Sequence, residues 1–282
     1  MPELPDLEML KEALEGRILG REIVSACALR PGILRTVTPP LDALNGKVFA
    51  GVARRGKYLI LALEPKLHLV AHLMLAGRFV LCRNNTQITK ATGLQATFSD
   101  GEDLRLIENG SIKLVKVYVV TDPSEVSGIA SLGVEPLSSA FTVQALAEMA
   151  RGRRCHVKKL LTDQRAIAGI GSAYADEILF AARMSPVRYV STMSDEELER
   201  LHGAIVRVLS EAIEEIRRRI GDSLFTDDIR DFLKVYKRTG EPCPICGAKV
   251  AEIRYANTRT YYCPVCQQSN KAIPDRRAWL AR

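Results

Sequence analysis

The sequence contains no apolar segment long enough to cross a bilayer, which argues against a helical membrane protein. It also does not begin with a basic stretch followed by an apolar one, so no secretory signal is expected and the cytoplasm is the simplest location. Internal repeats and low-complexity segments are absent as well. What is present is ordinary globular composition, 47% hydrophobic and 26% charged. A chain of 282 residues is long for one core, so we expect two domains with a small appendage.

Basic charge is concentrated at one end of the chain. Residues 1–150 hold 16 basic and 16 acidic residues, whereas residues 233–282 hold 10 basic and 3 acidic ones. The final basic residues include Lys271, Arg276 and Arg277. This asymmetry indicates a polyanionic partner such as nucleic acid. A solubilising basic tail explains the charge equally well.

The residue pattern changes twice along the chain. These changes predict an α+β multidomain protein with three parts. After a short helix over residues 5–16, residues up to about 135 alternate short apolar runs with Gly, Asn, Asp and Pro, as in a β-sandwich or barrel. Residues 136–232 have helical periodicity, with two helices interrupted at "GIG". The segment 233–282 contains the clustered cysteines. We therefore expect domains at 1–135, 136–232 and 233–282.

Four cysteines form the most specific local motif. They are arranged as two Cys-x-x-Cys knuckles separated by sixteen residues, Cys243, Cys246, Cys263 and Cys266. Four thiolates at this spacing predict one structural Zn²⁺ with no open coordination position, and the intervening residues a β-hairpin. Two disulfides are the alternative, disfavoured by the expected cytoplasmic location. The scattered Cys27, Cys82 and Cys155 are expected to be buried thiols.

The turn "AGIGSAYADE" offers a possible anion site. Gly169 and Gly171 allow a tight turn before a helix, and the helix N-terminus favours a phosphate. A glycine-bearing turn with no ligand explains the same pattern.

The chain opens with "MPELPDLE", so Pro2 would carry the amino end if Met1 were removed, and Glu3 follows it. Most N-termini are frayed and have no chemical function. Only the rest of the sequence can give this start a different meaning.

Five segments stand in order along the chain: "MPELPDLE", "RRGKYLIL", "LLTDQRAIAGIGSAYADEILFAARMSP", "VYKRTGEPCPICG" and "TYYCPVCQ". Together they resemble the formamidopyrimidine-DNA glycosylase/endonuclease VIII family of base-excision repair enzymes, almost from end to end. The resemblance implies an N-terminal β-sandwich, a helix–two-turn–helix domain and a C-terminal zinc finger, with damaged double-stranded DNA bound between them by a monomer. It also implies a bifunctional DNA glycosylase and abasic-site lyase for oxidised bases.

The resemblance implies a function for each matching residue. The Pro2 amine would be the nucleophile and Glu3 its acid–base partner, with Lys57 contacting DNA near the lesion. The phosphate contacts would come from Lys158, Gly169, Gly171, Ser172, Tyr236 and Arg259. Taken singly, Lys57 and Lys158 could be surface lysines and Tyr236 a core tyrosine. His68 and His72 are interpreted as packing residues.

The sequence departs from the family pattern where side chains fill the gap left by an everted base. Leu75 stands in place of the usual methionine, and on a strand the neighbouring Met74 would face the opposite side. The segment 108–113 lacks the usual arginine and phenylalanine, so Ile112 would complete a purely apolar wedge. Further departures are Asp6 for Glu, Ser172 for Asn, a hairpin arginine displaced by one position and a shortened segment 221–238, which suggests a less purine-specific pocket.

Two rival interpretations remain open at this point. One is a non-catalytic DNA-binding relative with an altered wedge, and the other is a zinc-ribbon nucleic-acid binder with an unrelated sandwich. Pro2, Glu3 and Lys57 together favour the enzyme, because a binder needs none of them.

Overall fold

The computed structural model describes residues 1–221, 224, 229–255 and 258–267. The basic residues after position 267 lie outside this description, as do six residues of the segment 221–238. The chain forms two compact units: residues 1–131 with 213–228, and residues 132–212 with 229–282. Among the helices of the described part, none is long and apolar enough to cross a membrane.

In residues 1–131 of the first unit, one helix is followed by eight strands and a short helix. These elements are α1 Leu4–Ile18, β1 Ile23–Ala28, β2 Val48–Arg55, β3 Tyr58–Glu64, β4 Leu67–His72, β5 Gly77–Arg83, β6 Thr92–Phe98, β7 Glu102–Glu108, β8 Lys116–Val120 and α2 Ser127–Ala130. The strands form two antiparallel four-stranded sheets, in the orders β1-β6-β7-β5 and β2-β3-β4-β8.

The two sheets bury one common core, which confirms the predicted β-sandwich. Phe49 of one sheet and Phe98 of the other meet edge to face, with ring centroids 5.9 Å apart. Alternate residues of the strands, such as Leu59, Leu61 and Leu63 of β3, point into this core. Helix α1 adds its apolar face to the same core through Leu7, Leu10, Leu14 and Ile18.

The remaining elements are α3 Val143–Ala150, α4 Val157–Thr162, α5 Ser172–Ala181, α6 Asp195–Ile220, β9 Ala251–Tyr255 and β10 Thr258–Tyr262. Thr142 caps α3 by accepting a hydrogen bond from the Ala145 amide at 3.1 Å. Ser194 and Glu197 form a reciprocal capping box at the start of α6. Strands β9 and β10 pair as the hairpin predicted between the cysteine knuckles.

The three scattered cysteines do not match their expected burial. Cys27 is exposed on the edge strand β1, and Cys82 and Cys155 are half-buried. The expectation of buried thiols is therefore wrong, because the small apolar side chain of cysteine is tolerated at a sheet edge as well as in a core.

Candidate functional site

The start of the chain is fixed by the first helix. Glu3 is the N-cap residue of α1 and is only 3% exposed. Its backbone N–H donates to Asp6 Oδ2 at 2.8 Å, and Asp6 is buried as well. Pro5 in the first turn has the fixed φ that a helix start needs. The terminus is therefore held in place at Glu3, directly after Pro2, rather than frayed.

Helix α1 is tied to the turn that carries Lys57. Arg54 donates from Nε to Glu8 Oε2 of α1 at 2.7 Å, and from Nη1 to the carbonyl of Gly56 at 3.1 Å. Lys57 follows in the β2–β3 turn and is only 7% exposed. A solvated strand-end lysine is thus excluded.

His72 at the end of β4 supports the next turn. Burial, and then the positive charges of Lys57 and Lys116, lower the pKa of His72 from 6.5 to about 4. The neutral ring accepts a hydrogen bond at Nδ1 from the Met74 amide at 3.1 Å. His72 is therefore more than a packing residue, since it anchors the backbone of the turn 73–76. The sequence alone indicated this bond only weakly, because its sign is simply a histidine placed two residues before a turn residue.

The His72 bond predicts a pH-dependent stability. Because the folded state favours the neutral ring, the unfolded chain binds the proton more readily between pH 6.5 and pH 4. We expect the contribution of His72 to the free energy of unfolding to be complete above pH 6.5 and to fall as the pH drops towards 4, by at most about 3 kcal/mol. Denaturant unfolding of wild type and His72→Gln across this range measures it. A stability difference between the two proteins that does not change with pH would contradict this account.

The two predicted wedge residues are exposed at the same end of one sheet. Leu75 is 60% exposed in the β4–β5 turn, and Ile112 is 68% exposed in the loop between β7 and β8. Strands β5 and β7 are antiparallel, and Gly77, the first residue of β5, pairs with Glu108, the last residue of β7. The loop before β5 and the loop after β7 therefore lie at the same end of the sheet. Two large apolar side chains therefore project into solvent from neighbouring loops.

The loop that carries Ile112 is anchored by the side chain of Glu108, which is 1% exposed. Its carboxylate accepts from the Leu114 amide at 2.8 Å and pairs with Arg30 at 2.7 Å. Lys113 Nζ donates to the Glu108 carbonyl. The charged side chain of this loop is thus bonded to its own backbone, while Ile112 points outward.

Met74 and Leu75 do not lie on a strand. The alternation of strand faces does not decide between Met74 and Leu75, because β4 ends at His72 and residues 74–76 form a turn. Met74 has a φ of 53°, in the left-handed region, which reverses the chain direction there. A strand pattern cannot be extended into such a turn.

The "GIG" turn is closed by a side chain. Gly169 has a φ of +88°, which explains the glycine, and its N–H donates to Gln164 Oε1 at 2.9 Å. Gln164 Nε2 in turn donates to the Ile170 carbonyl at 2.7 Å. Gly171 is the N-cap of α5, and Ser172 is its first residue. The Gly169 amide is therefore used within the turn, and an anion here would be met by the start of α5.

Lys158 is an interior residue and not part of the surface charge. Only 7% of it is exposed, whereas the adjacent Lys159 is exposed. Its ammonium lies 2.7 Å from Asp176 Oδ1 and donates at 2.9 Å to both the Arg259 carbonyl and Thr260 Oγ1. Lys158 therefore connects α4 and α5 to the zinc hairpin.

Two adjacent carboxylates of α5 hold strand β10 of the zinc hairpin and the segment that precedes the first cysteine knuckle. Asp176 Oδ2 accepts from the Tyr261 amide of β10 at 3.1 Å. Glu177 accepts from three successive amides, those of Lys234, Val235 and Tyr236, at 2.8, 2.8 and 2.9 Å. Burial raises the pKa of both carboxyl groups, so these bonds matter for keeping them charged.

Asp176 and Glu177 were not predicted as functional residues from the sequence. A signal was present, since two consecutive acids inside the apolar stretch "YADEILF" are rarely buried without partners. Tyr236, whose amide Glu177 binds, is half-buried, and its ring meets that of Tyr261 at 5.4 Å.

The four clustered cysteines fit a tetrahedral zinc site. The Sγ atoms of Cys243 and Cys266 are 3.8 Å apart, those of Cys246 and Cys263 are 3.5 Å apart, and all four lie within 4.8 Å of one another. A tetrahedron with zinc–sulfur bonds of about 2.3 Å has edges of about 3.8 Å. The chain therefore has one structural Zn²⁺ site with four thiolate ligands.

The second knuckle is anchored through the buried side chain of Gln267. It accepts from the Cys263 amide at 2.8 Å and donates to the Met184 carbonyl at 2.9 Å. Arg259 lies on the hairpin between the knuckles, and its side chain is 57% exposed. The metal site thus fixes the hairpin that presents this arginine.

A β-sandwich that fixes a proline and a glutamate at the chain start, followed by a helix–turn–helix unit with a four-cysteine hairpin, is the architecture of a DNA-repair glycosylase. Three family models match in the same order: the formamidopyrimidine-DNA glycosylase N-terminal domain over residues 1–109, its H2TH domain over 132–222, and a zinc finger found in FPG and IleRS over 240–268. The chain belongs to the formamidopyrimidine-DNA glycosylase family.

Whole-length relatives agree with this assignment. The chain is 38% identical over 288 aligned positions to a formamidopyrimidine-DNA glycosylase of Symbiobacterium thermophilum, covering 99% of this chain and 93% of the relative. It is similar in structure to Lactococcus lactis Fpg in complex with DNA containing an abasic site, with a TM-score of 0.85, 30% identity, and 94% and 99% of the two chains covered. Lactococcus lactis Fpg in complex with Fapy-dG DNA gives the same TM-score and identity over 94% and 100%.

Proposed function

We propose that this protein is a bifunctional DNA glycosylase and abasic-site lyase that removes oxidised bases, formamidopyrimidines among them, from double-stranded DNA. The observation that carries this proposal is the chain start, where Glu3 is buried as the cap of α1 directly after Pro2. A protein that only bound DNA would gain nothing from fixing these two residues. Family membership and the DNA complexes of the similar structures support the same conclusion.

Pro2 supplies the nucleophile once Met1 is removed. Its secondary amine attacks C1′ of the damaged nucleotide, and a C1′–nitrogen bond forms as the bond to the base breaks. The base leaves with the electron pair of that bond and takes up a proton, while the proline nitrogen gives up its own. Glu3 protonates the ring oxygen, so the sugar opens and a cationic imine remains on Pro2. The imine accepts electrons as C2′ loses a proton and the 3′ phosphate leaves, and a second elimination releases the 5′ phosphate. Water then frees the amine.

The other predicted residues bind and shape the DNA. Lys57 contacts the strand near the lesion, and Leu75 with Ile112 fills the gap that the everted base leaves. The turn Gly169–Ser172, Tyr236 and Arg259 contact phosphates. Lys158 holds the strand that carries Arg259. For Lys158 to contact a phosphate directly, its ammonium would have to exchange one of its three present partners for that phosphate.

A purely apolar wedge has a consequence for specificity. Leu75 and Ile112 can fill space but cannot form hydrogen bonds with the orphaned base, and Lys113 is bonded to Glu108. A good bidentate contact supplies about 1–3 kcal/mol of discrimination between bases. Without one, the base opposite the lesion should have little influence on excision.

The same wedge favours one second candidate, a relative that binds damaged DNA without cutting it. A panel of duplexes separates the two candidates. Formamidopyrimidine, oxidised purine, oxidised pyrimidine and bare abasic sites are each placed opposite the four bases, and base release and strand cleavage are followed. We expect release of at least one oxidised base, with rates that differ by less than about tenfold across opposite bases. Binding to every duplex without release or cleavage would contradict the enzyme and support the second candidate.

We also propose that the protein acts as a monomer on chromosomal DNA in the cytoplasm. The relatives named above are bacterial, and bacterial chromosomal DNA lies in that compartment.

A further inference from the structure

Two arginines face each other across the zinc hairpin. In the β9–β10 register Arg259 is directly opposite Arg254, and both are exposed, with 57% and 46% of their side chains accessible. The next pair, Ile253 and Thr260, is buried. Strand alternation therefore places both guanidinium groups on the outer face of the hairpin. Like charges directly opposite each other destabilise a hairpin unless an anion offsets them.

The anion in this structure is Glu252, on the same face of β9. Its Oε1 lies 2.9 Å from Arg254 Nε and 3.7 Å from Arg259 Nε. Its second oxygen accepts from Thr239 Oγ1 at 3.1 Å. The two guanidinium groups therefore already reach a single carboxylate oxygen.

The backbone beneath this pair is held rigidly. Lys158 binds the Arg259 carbonyl, and Asp176 binds the Tyr261 amide two residues further on. Because the strand is fixed, presenting Arg259 to a ligand costs little backbone entropy. A phosphate offers guanidinium groups the same kind of acceptor oxygens as a carboxylate.

We propose that Arg254 and Arg259 together form a clamp for one DNA backbone phosphate, and that Glu252 occupies the position of this phosphate until DNA binds. Arg254 is thereby a further DNA-binding residue, and Glu252 competes with the ligand. The proposal rests on the proposed function only in taking duplex DNA as the ligand. Glu252 releases the arginines and keeps its bond with Thr239, so the phosphate gains two contacts in exchange for the two ion pairs that Glu252 forms with Arg254 and Arg259.

The test measures the affinity of the full zinc-loaded chain for a duplex with a non-cleavable abasic-site analogue, over a range of salt concentrations. We expect Arg254→Ala to weaken binding about tenfold and to reduce the slope of log affinity against log salt by about 1. Glu252→Gln should tighten binding about threefold, since it removes the competing charge. The double variant Arg254→Ala with Arg259→Ala should lose less than the two single losses combined, because both residues hold one phosphate.

The controls are matched in charge. Arg207 and Glu211 form an exposed pair on α6, with 58% and 60% of their side chains accessible. Arg207→Ala and Glu211→Gln change the net charge in the same way without touching the hairpin. Arg254→Lys, which keeps the charge, should restore part of the affinity. Zinc content is measured for each variant. If Arg254→Ala loses its metal, Glu252→Gln still tests the clamp, because a merely structural role of Glu252 predicts weaker and never tighter DNA binding.

Effects of Arg254→Ala and Glu252→Gln no larger than those of the α6 controls would overturn the clamp. If the same proteins still form a covalent adduct with abasic DNA, the proposed function stands and only the clamp is wrong. Failure of the wild-type protein to bind any damaged duplex would instead contradict the proposed function.

Discussion

Replacing Pro2 with glycine is expected to reduce borohydride trapping of this protein on abasic-site DNA by at least about tenfold. Glycine still permits removal of Met1, but it leaves a primary amine, whose imine is neutral unless protonated and accepts electrons less readily. Pro2→Leu should abolish trapping, because a large second residue prevents the removal of Met1 and leaves an amide nitrogen. Trapping is measured as a covalent protein–DNA band after reduction, at matched protein concentrations.

Glu3→Gln separates base release from the nucleophile. The glutamine keeps the shape of the helix cap, whereas it cannot supply the proton that opens the sugar. We expect release of an oxidised base to fall by about 100-fold or more. Melting temperatures of all three variants should stay close to that of wild type. Undiminished trapping by Pro2→Leu, with Met1 confirmed in place, would show that another residue is the nucleophile.

Loss of zinc is expected to have the second large effect. The finger has a small core, in which Val235, Val250 and Tyr261 pack beside Phe180, so it depends on the metal for its fold. We expect Cys263→Ser to lose zinc and to weaken duplex binding by at least about 100-fold, since metal coordination contributes about 10–16 kcal/mol to the folding of such segments. Metal analysis and binding measured on the same preparation provide the check.

A matched control for zinc loss is available in the same chain. Cys27 is exposed on β1 and far in sequence from the knuckles, so Cys27→Ser should change neither zinc content nor affinity. The N-terminal sandwich has a separate core, and its near-ultraviolet signal should survive in Cys263→Ser. Full duplex affinity in a zinc-free protein would contradict the assignment of the hairpin to DNA binding.

Local patterns predicted the elements of the fold well. Helix starts such as those capped by Thr142 and by the Ser194–Glu197 box have a signal in the sequence, because each capping bond joins residues at most three apart. The zinc site followed from spacing alone, because four thiolates in two knuckles leave few other uses. The sandwich followed from short apolar runs, although the order of its strands did not.

Long-range contacts set the limit of sequence reasoning at the candidate site. Lys158 looked like surface charge because its partners Arg259 and Thr260 are about a hundred residues away. Leu75 and Ile112 lie in loops at the same end of one sheet only because β5 pairs with β7. The turn at Met74 was missed because its left-handed residue is neither glycine nor asparagine. Each of these features depends on packing that no local window contains.

The proposed mechanism requires that the mature chain begin with the reactive nitrogen of Pro2. The most direct measurement is mass spectrometry of the tryptic peptides from the borohydride-trapped complex. We expect the N-terminal tryptic peptide to begin at Pro2 and to end at Lys11, with the reduced sugar fragment attached to the Pro2 nitrogen. Sugar attached to a lysine, or an unmodified peptide that still begins with Met1 in the trapped complex, would contradict it.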